Sequence, residues 1–128
     1  MKKAIVLAVL FFLVSCNRDD GNQITSVESV AVDSVTVPRD TMQVFATQTI
    51  VTYSKYIENC EGFYDYDYRI DDLQRNITPY KYKTNATCGS EFSGASQLIF
   101  SPQSSGTYVL KFWAGNDSWL EKTVVVQD

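Results

Sequence analysis

The chain has 128 residues, with 11 basic and 15 acidic side chains and no histidine, which leaves room for one domain with one modest core. Its acidity excludes the basic stripe that nucleic-acid phosphates require, and the missing histidine removes His-based triads and most imidazole metal centres. There is no CxxC pair and no glycine-rich phosphate loop, so no cofactor and no nucleotide chemistry are expected.

Lys2 and Lys3 precede an unbroken apolar run from Ala4 to Val14, a charged n-region and an h-region too short to span a bilayer. Leu13-Val14-Ser15-Cys16 resembles the lipobox of bacterial lipoproteins: a branched apolar residue, two small or medium residues, then cysteine. The resemblance implies cleavage before Cys16, a diacylglyceryl group on its sulfur and acylation of the new amine. Two or three acyl chains make a stable membrane anchor where one holds only marginally. Residues 1–15 are then a signal peptide, 16–23 a lipidated cysteine with a flexible tether, and 24–128 the domain. An ordinary secretory signal with a chance cysteine is the competing reading, but no good A-x-A site precedes Cys16. Asn17 is not the aspartate that retains many gram-negative lipoproteins in the inner membrane. Asp19-Asp20 looks like a surface-export tag interrupted by Arg18, so the resemblance implies the outer membrane and display on the cell surface. After cleavage 9 basic residues face 15 acidic ones, so no further polybasic attachment to lipid is expected.

Beyond the tether the pattern has period two, with no helical stripe. Val27 to Val37 reads as one strand ended by Pro38. Thr41 to Tyr53 alternates, with Met42, Val44, Ala46 and Ile50 on one face. Phe63 to Ile70 alternates more cleanly, setting Tyr64, Tyr66, Tyr68 and Ile70 opposite Phe63, Asp65, Asp67 and Arg69. Ile77 to Lys83, Gln97 to Phe100, Thr107 to Trp113 and Trp119 to Val126 complete the set, punctuated by Ser101-Pro102, Ser105-Gly106 and Gly115-Asn116-Asp117. About seven short strands at this spacing predict an antiparallel β-sandwich. With Cys16 assigned to the export signal, Cys60 and Cys88 remain as an even pair, which in an exported domain reads as a disulfide. Two buried free thiols are the alternative.

Ser105-Gly106-Thr107-Tyr108-Val109-Leu110 resembles the start of strand F in immunoglobulin-like sandwiches. The resemblance implies that Tyr108 is the corner tyrosine, with its hydroxyl bonded to nearby backbone and with Leu110 and Phe112 in the core. Leu110 stands where the second immunoglobulin cysteine would be, so a Cys60–Cys88 bridge is expected to tie the region before strand C to the loop after strand D. A small lipocalin-like barrel is the alternative fold.

Carboxylates are the only candidate catalysts. Asp65 and Asp67 share a predicted strand face about 7 Å apart, a separation compatible with glycoside hydrolysis. With Asp71 and Asp72 they form a possible calcium site, because Ca²⁺ takes several carboxylate oxygens. A solvated strand face ending in an acidic turn accounts for the same residues and is the favoured reading. Tyr64, Tyr66, Tyr68, Tyr80 and Tyr82 form the candidate binding surface, since tyrosine pairs a flat apolar ring with a polar tip. The competing reading places the Tyr64 face in the core. Of Trp113 and Trp119, one is expected in the core and the other exposed. Asp33-Ser34-Val35 and Asp40-Thr41-Met42 resemble O-glycan acceptor sites of some exported gram-negative proteins, and Asn85-Ala86-Thr87 fits the N-glycan pattern.

The expectation is a lipid-anchored, non-enzymatic interaction module that contacts the membrane through Cys16 and binds an envelope protein or a glycan. A structural envelope lipoprotein with no external ligand is the rival, and a carboxylate-dependent glycan hydrolase is a remote third.

Overall fold

The computed structural model describes residues 23–128. The expected signal peptide 1–15, the expected acylation site Cys16 and the expected tether up to residue 22 lie outside the described residues. Nine strands follow: β1 (Ile24–Ser29), β2 (Ser34–Thr36), β3 (Thr41–Gln43), β4 (Gln48–Ile57), β5 (Glu61–Asp71), β6 (Gln74–Thr84), β7 (Glu91–Phe100), β8 (Gly106–Trp113) and β9 (Trp119–Gln127). They form a two-sheet β-sandwich, so the expected all-β class is met and the closed barrel is not. The larger, curled sheet runs β1-β6-β8-β9-β3 with β5 also on β6, and the smaller runs β2-β4-β7.

The two strands beyond the expected seven arise because two predicted strands each break. Val27–Val37 becomes β1 in the large sheet and β2 in the small one. In the crossing, the Val30 and Val32 amides donate to Pro79 and Trp113 of the large sheet, then Asp33 donates to Tyr53 of the small one. Thr41–Tyr53 breaks at Phe45, whose φ of 68° puts it in the left-handed region, which ends a strand. The buried Gln48 side chain secures the preceding loop by accepting from the Arg39 amide and donating to the Arg39 carbonyl, both at 2.9 Å.

The sheet is mixed where a wholly antiparallel one is expected. β3 runs parallel to β9, and residues 74–77 of β6 run parallel to β8. Residues 80–84 of β6 pair with β1, while β5 pairs along almost all of β6. Composition explains which strand of the β5–β6 hairpin lies inside. The inward Ile77 and Pro79 of β6 are fully buried, whereas β5 carries Asp65, Asp67 and Arg69, and charges suit an edge. Pro79 falls where β6 changes partner from β8 to β1. Its carbonyl, and hence its nitrogen, faces that edge, so the missing N–H interrupts no ladder.

The core lies between the sheets, built from Ile50, Ile77, Leu110, Phe112, Val124 and Tyr108. Each such side chain contributes roughly 1.5–3 kcal/mol on burial. Tyr108 turns the corner as its motif implies: the hydroxyl donates to the Ser104 carbonyl at 2.8 Å. Gly106 just before it has φ of 147°, and an added Cβ would lie 2.9 Å from Leu73 Cδ1, so backbone and neighbour both call for glycine. Cys60, at the end of the β4–β5 turn, is bonded to Cys88 in the β6–β7 loop with Cα atoms 5.0 Å apart, the placement expected from the sequence.

Candidate functional site

β5 decides the fate of the candidate tyrosines. Phe63 pairs with Lys81 and Asp65 with Tyr80, so Tyr64 is an extra residue in a β-bulge. A bulge sets two residues against one and resets the alternation beyond it. Phe63 therefore joins Tyr66 on the inward face, with ring centroids 4.8 Å apart, while Tyr64 and Asp65 both lie on the exposed side. The clean alternation expected for Phe63–Ile70 is overturned, and the tyrosines divide into two groups.

Tyr66 and Tyr68 pack against the core between the sheets. The Tyr66 hydroxyl is 2.8 Å from Thr52 Oγ1, and burial raises the pKa of both phenols. Tyr64, Tyr80 and Tyr82 lie on the outer face of the large sheet, at the end nearer the disulfide. Tyr64 is 55% exposed and Val27 of β1 is 42% exposed. Val27 pairs across from Tyr82. Tyr82 in turn lies over Gly62, where an added Cβ would be 2.5 Å from its hydroxyl oxygen. Side chains from three adjacent strands thus form one aromatic and apolar surface.

Beneath that surface, on the inward side, sits a charge cluster that fastens β1. Lys81 Nζ lies 3.0 Å from Glu61 Oε2, and Lys83 Nζ lies 2.9 Å from Glu28 Oε1. The Lys83 hydrogen bond, above all, lowers the pKa of Glu28 and is reciprocated in the raised pKa of Lys83.

The four aspartates are not gathered. Asp65 Oδ1 accepts the Tyr66 amide at 2.7 Å, Asp67 pairs with Arg69 at 3.1 Å, and Asp71 and Asp72 are exposed at the hairpin. Among the described residues no group of three acidic or thiol side chains converges on a point that would hold a metal ion. This arrangement fits the solvated face, not the calcium site. Trp113 and Trp119 are cross-strand partners on the outer face, so neither is in the core. The Trp113 indole donates to the Asn116 carbonyl at 2.9 Å. Ser34 and Thr41 of the O-glycan-like motifs and Asn85 of the N-glycan pattern are exposed.

One concave feature escaped the sequence reading. At the other end of the β5–β6 hairpin, the mouth between the sheets opens into a groove of about 570 Å³. Tyr68, Arg75 and Tyr108 line it from one side, and Leu98 to Phe100 with the loop 101–104 line it from the other. The Arg75 guanidinium lies 5.0 Å from the Tyr108 ring centroid, within the range of a cation–π contact. No local pattern marks this site, because its walls come from segments distant in sequence. No protein-family model, no curated protein and no solved structure matches this chain.

Proposed function

We propose that the chain is an exported lipoprotein, acylated at Cys16 and held at the outer membrane, whose β-sandwich is a non-enzymatic interaction module for a neighbouring envelope protein. The observation that carries this reading is the continuous outer surface of Tyr64, Tyr80, Tyr82 and Val27, contributed by β1, β5 and β6. Tyrosine offers large contact area at low entropic cost, which is why it is enriched in binding surfaces. The resemblance of Leu13-Val14-Ser15-Cys16 to a lipobox supports the anchor, and anchoring raises the effective concentration of the module towards its neighbours.

Two experiments test the proposal. Metabolic labelling with a fatty-acid analogue should mark the protein and fail to mark Cys16→Ala; a label that survives the substitution rejects the anchor. A photo-crosslinking residue at position 64 should trap a discrete envelope protein in intact cells, whereas the same residue at position 123, elsewhere on the sheet, should not. Equal trapping at both positions, or none at 64, rejects the tyrosine surface and favours the structural role. Binding on a polysaccharide array instead would make the partner a glycan.

A further inference from the structure

We infer that the groove between the sheets is a ligand site for a small organic carboxylate with a flat apolar body, distinct from the tyrosine surface and at the opposite end of the β5–β6 hairpin. Its volume of about 570 Å³ falls in the range of small-molecule sites. Its mouth exposes a large apolar side chain, Ile70 at 67%, which a bound apolar body would cover.

Charge specifies the other half of the ligand. Although the chain carries 15 acidic residues, none lines the groove, and among the described residues no carboxylate lies within ion-pair distance of Arg75. Arg75 Nη1 donates to the carbonyls of Asp72 and Gln74 at 2.6 and 3.1 Å, which holds the side chain in place. The rest of the guanidinium fork meets the Tyr68 hydroxyl and has no backbone or carboxylate acceptor among the described residues. A guanidinium seated against an aromatic ring, in a wall of apolar and neutral side chains, is matched by a carboxylate that accepts two parallel N–H bonds. Tyr68 adds a hydroxyl beside it. Burial raises the pKa of that phenol more than the neighbouring Arg75 lowers it, so it remains a donor at neutral pH.

The test is calorimetric titration of the full-length chain in non-ionic detergent with three probes of one shape: 3-phenylpropionate, 3-phenylpropan-1-ol and 3-phenylpropylammonium. The carboxylate should bind saturably and about tenfold tighter than the alcohol, the worth of a charge-assisted bond, and the ammonium should not bind. Arg75→Gln should erase the difference between carboxylate and alcohol, and Arg75→Lys, which keeps the charge without the planar fork, should retain only part of it. Because Arg75 also steadies the hairpin, Gln103→Glu provides a second arm. Gln103 is exposed on the groove wall, so the new charge should weaken the carboxylate several-fold without disturbing Arg75. Equal affinity for carboxylate and alcohol, indifference to both Arg75→Gln and Gln103→Glu, or no saturable binding of 3-phenylpropionate would overturn the inference.

Discussion

Tyr64 and Tyr66 are two positions apart on one strand and face opposite environments. Tyr64 stands on the exposed side of a bulge, while Tyr66 packs on the core and meets Thr52. Tyr64→Ser should therefore shift unfolding free energy by no more than about 0.5 kcal/mol. Tyr66→Ala, which empties space between the sheets, should cost about 3 kcal/mol. Urea denaturation of the pair checks this, and comparable losses would mean that the bulge does not form. Tyr108→Phe isolates the hydroxyl, because the ring stays in the core and only its contacts with the Ser104 carbonyl and Ser104 Oγ are lost. A cost of about 1 kcal/mol is expected, with an unchanged denaturant slope. That tyrosine was legible in the sequence, since Gly106-Thr107-Tyr108 carries its own turn chemistry. Arg75 was not, because the ring it lies against, Tyr108, is far along the chain.

At the scale of elements, β1 is the strand most exposed to solution conditions. It is a short edge strand, and Glu28 reaches Lys83 and Lys81 across its pairing with β6. The lowered Glu28 pKa means that this link contributes above the ordinary carboxylate value of 4.5 and is lost as pH falls through the lower folded value. The raised Lys83 pKa gives the opposite limit: the link is present below the ordinary 10.5 and is lost as pH rises through the higher folded value. Amide protection in β1, corrected for intrinsic exchange, should thus be highest between those limits and, as pH falls below the ordinary carboxylate value, drop before that of β8. High salt should reduce the difference, because the pair is open to solvent. Protection that changes in parallel in β1 and β8 would show that the cluster does not fasten β1 separately. The tryptophans show how elements override single-residue expectation: the hairpin register pairs Trp113 with Trp119 on the outer face, and Tyr108, Leu110 and Phe112 take the inward positions instead.

For the whole molecule, the Cys60–Cys88 bridge closes a separation of 28 residues that contains β5 and β6. In the chain-entropy view this is worth about 3–4 kcal/mol, a large share of the stability of a domain this small. Cys60→Ser should lower the thermal midpoint by more than 10 °C; a midpoint within a few degrees of the parent would show that the sandwich holds without it. The all-β class, the later strands, the cysteine pair and the corner tyrosine were readable from the chain alone. Period-two alternation, turn residues and cysteine parity are local signals that act before any partner strand is chosen. Strand order, the parallel β6–β8 pair, the bulge at Tyr64 and the Arg75 groove were not readable. Each depends on which distant strand supplies the opposing hydrogen bonds or the opposing wall, and that choice exists only once the two sheets close on a common core.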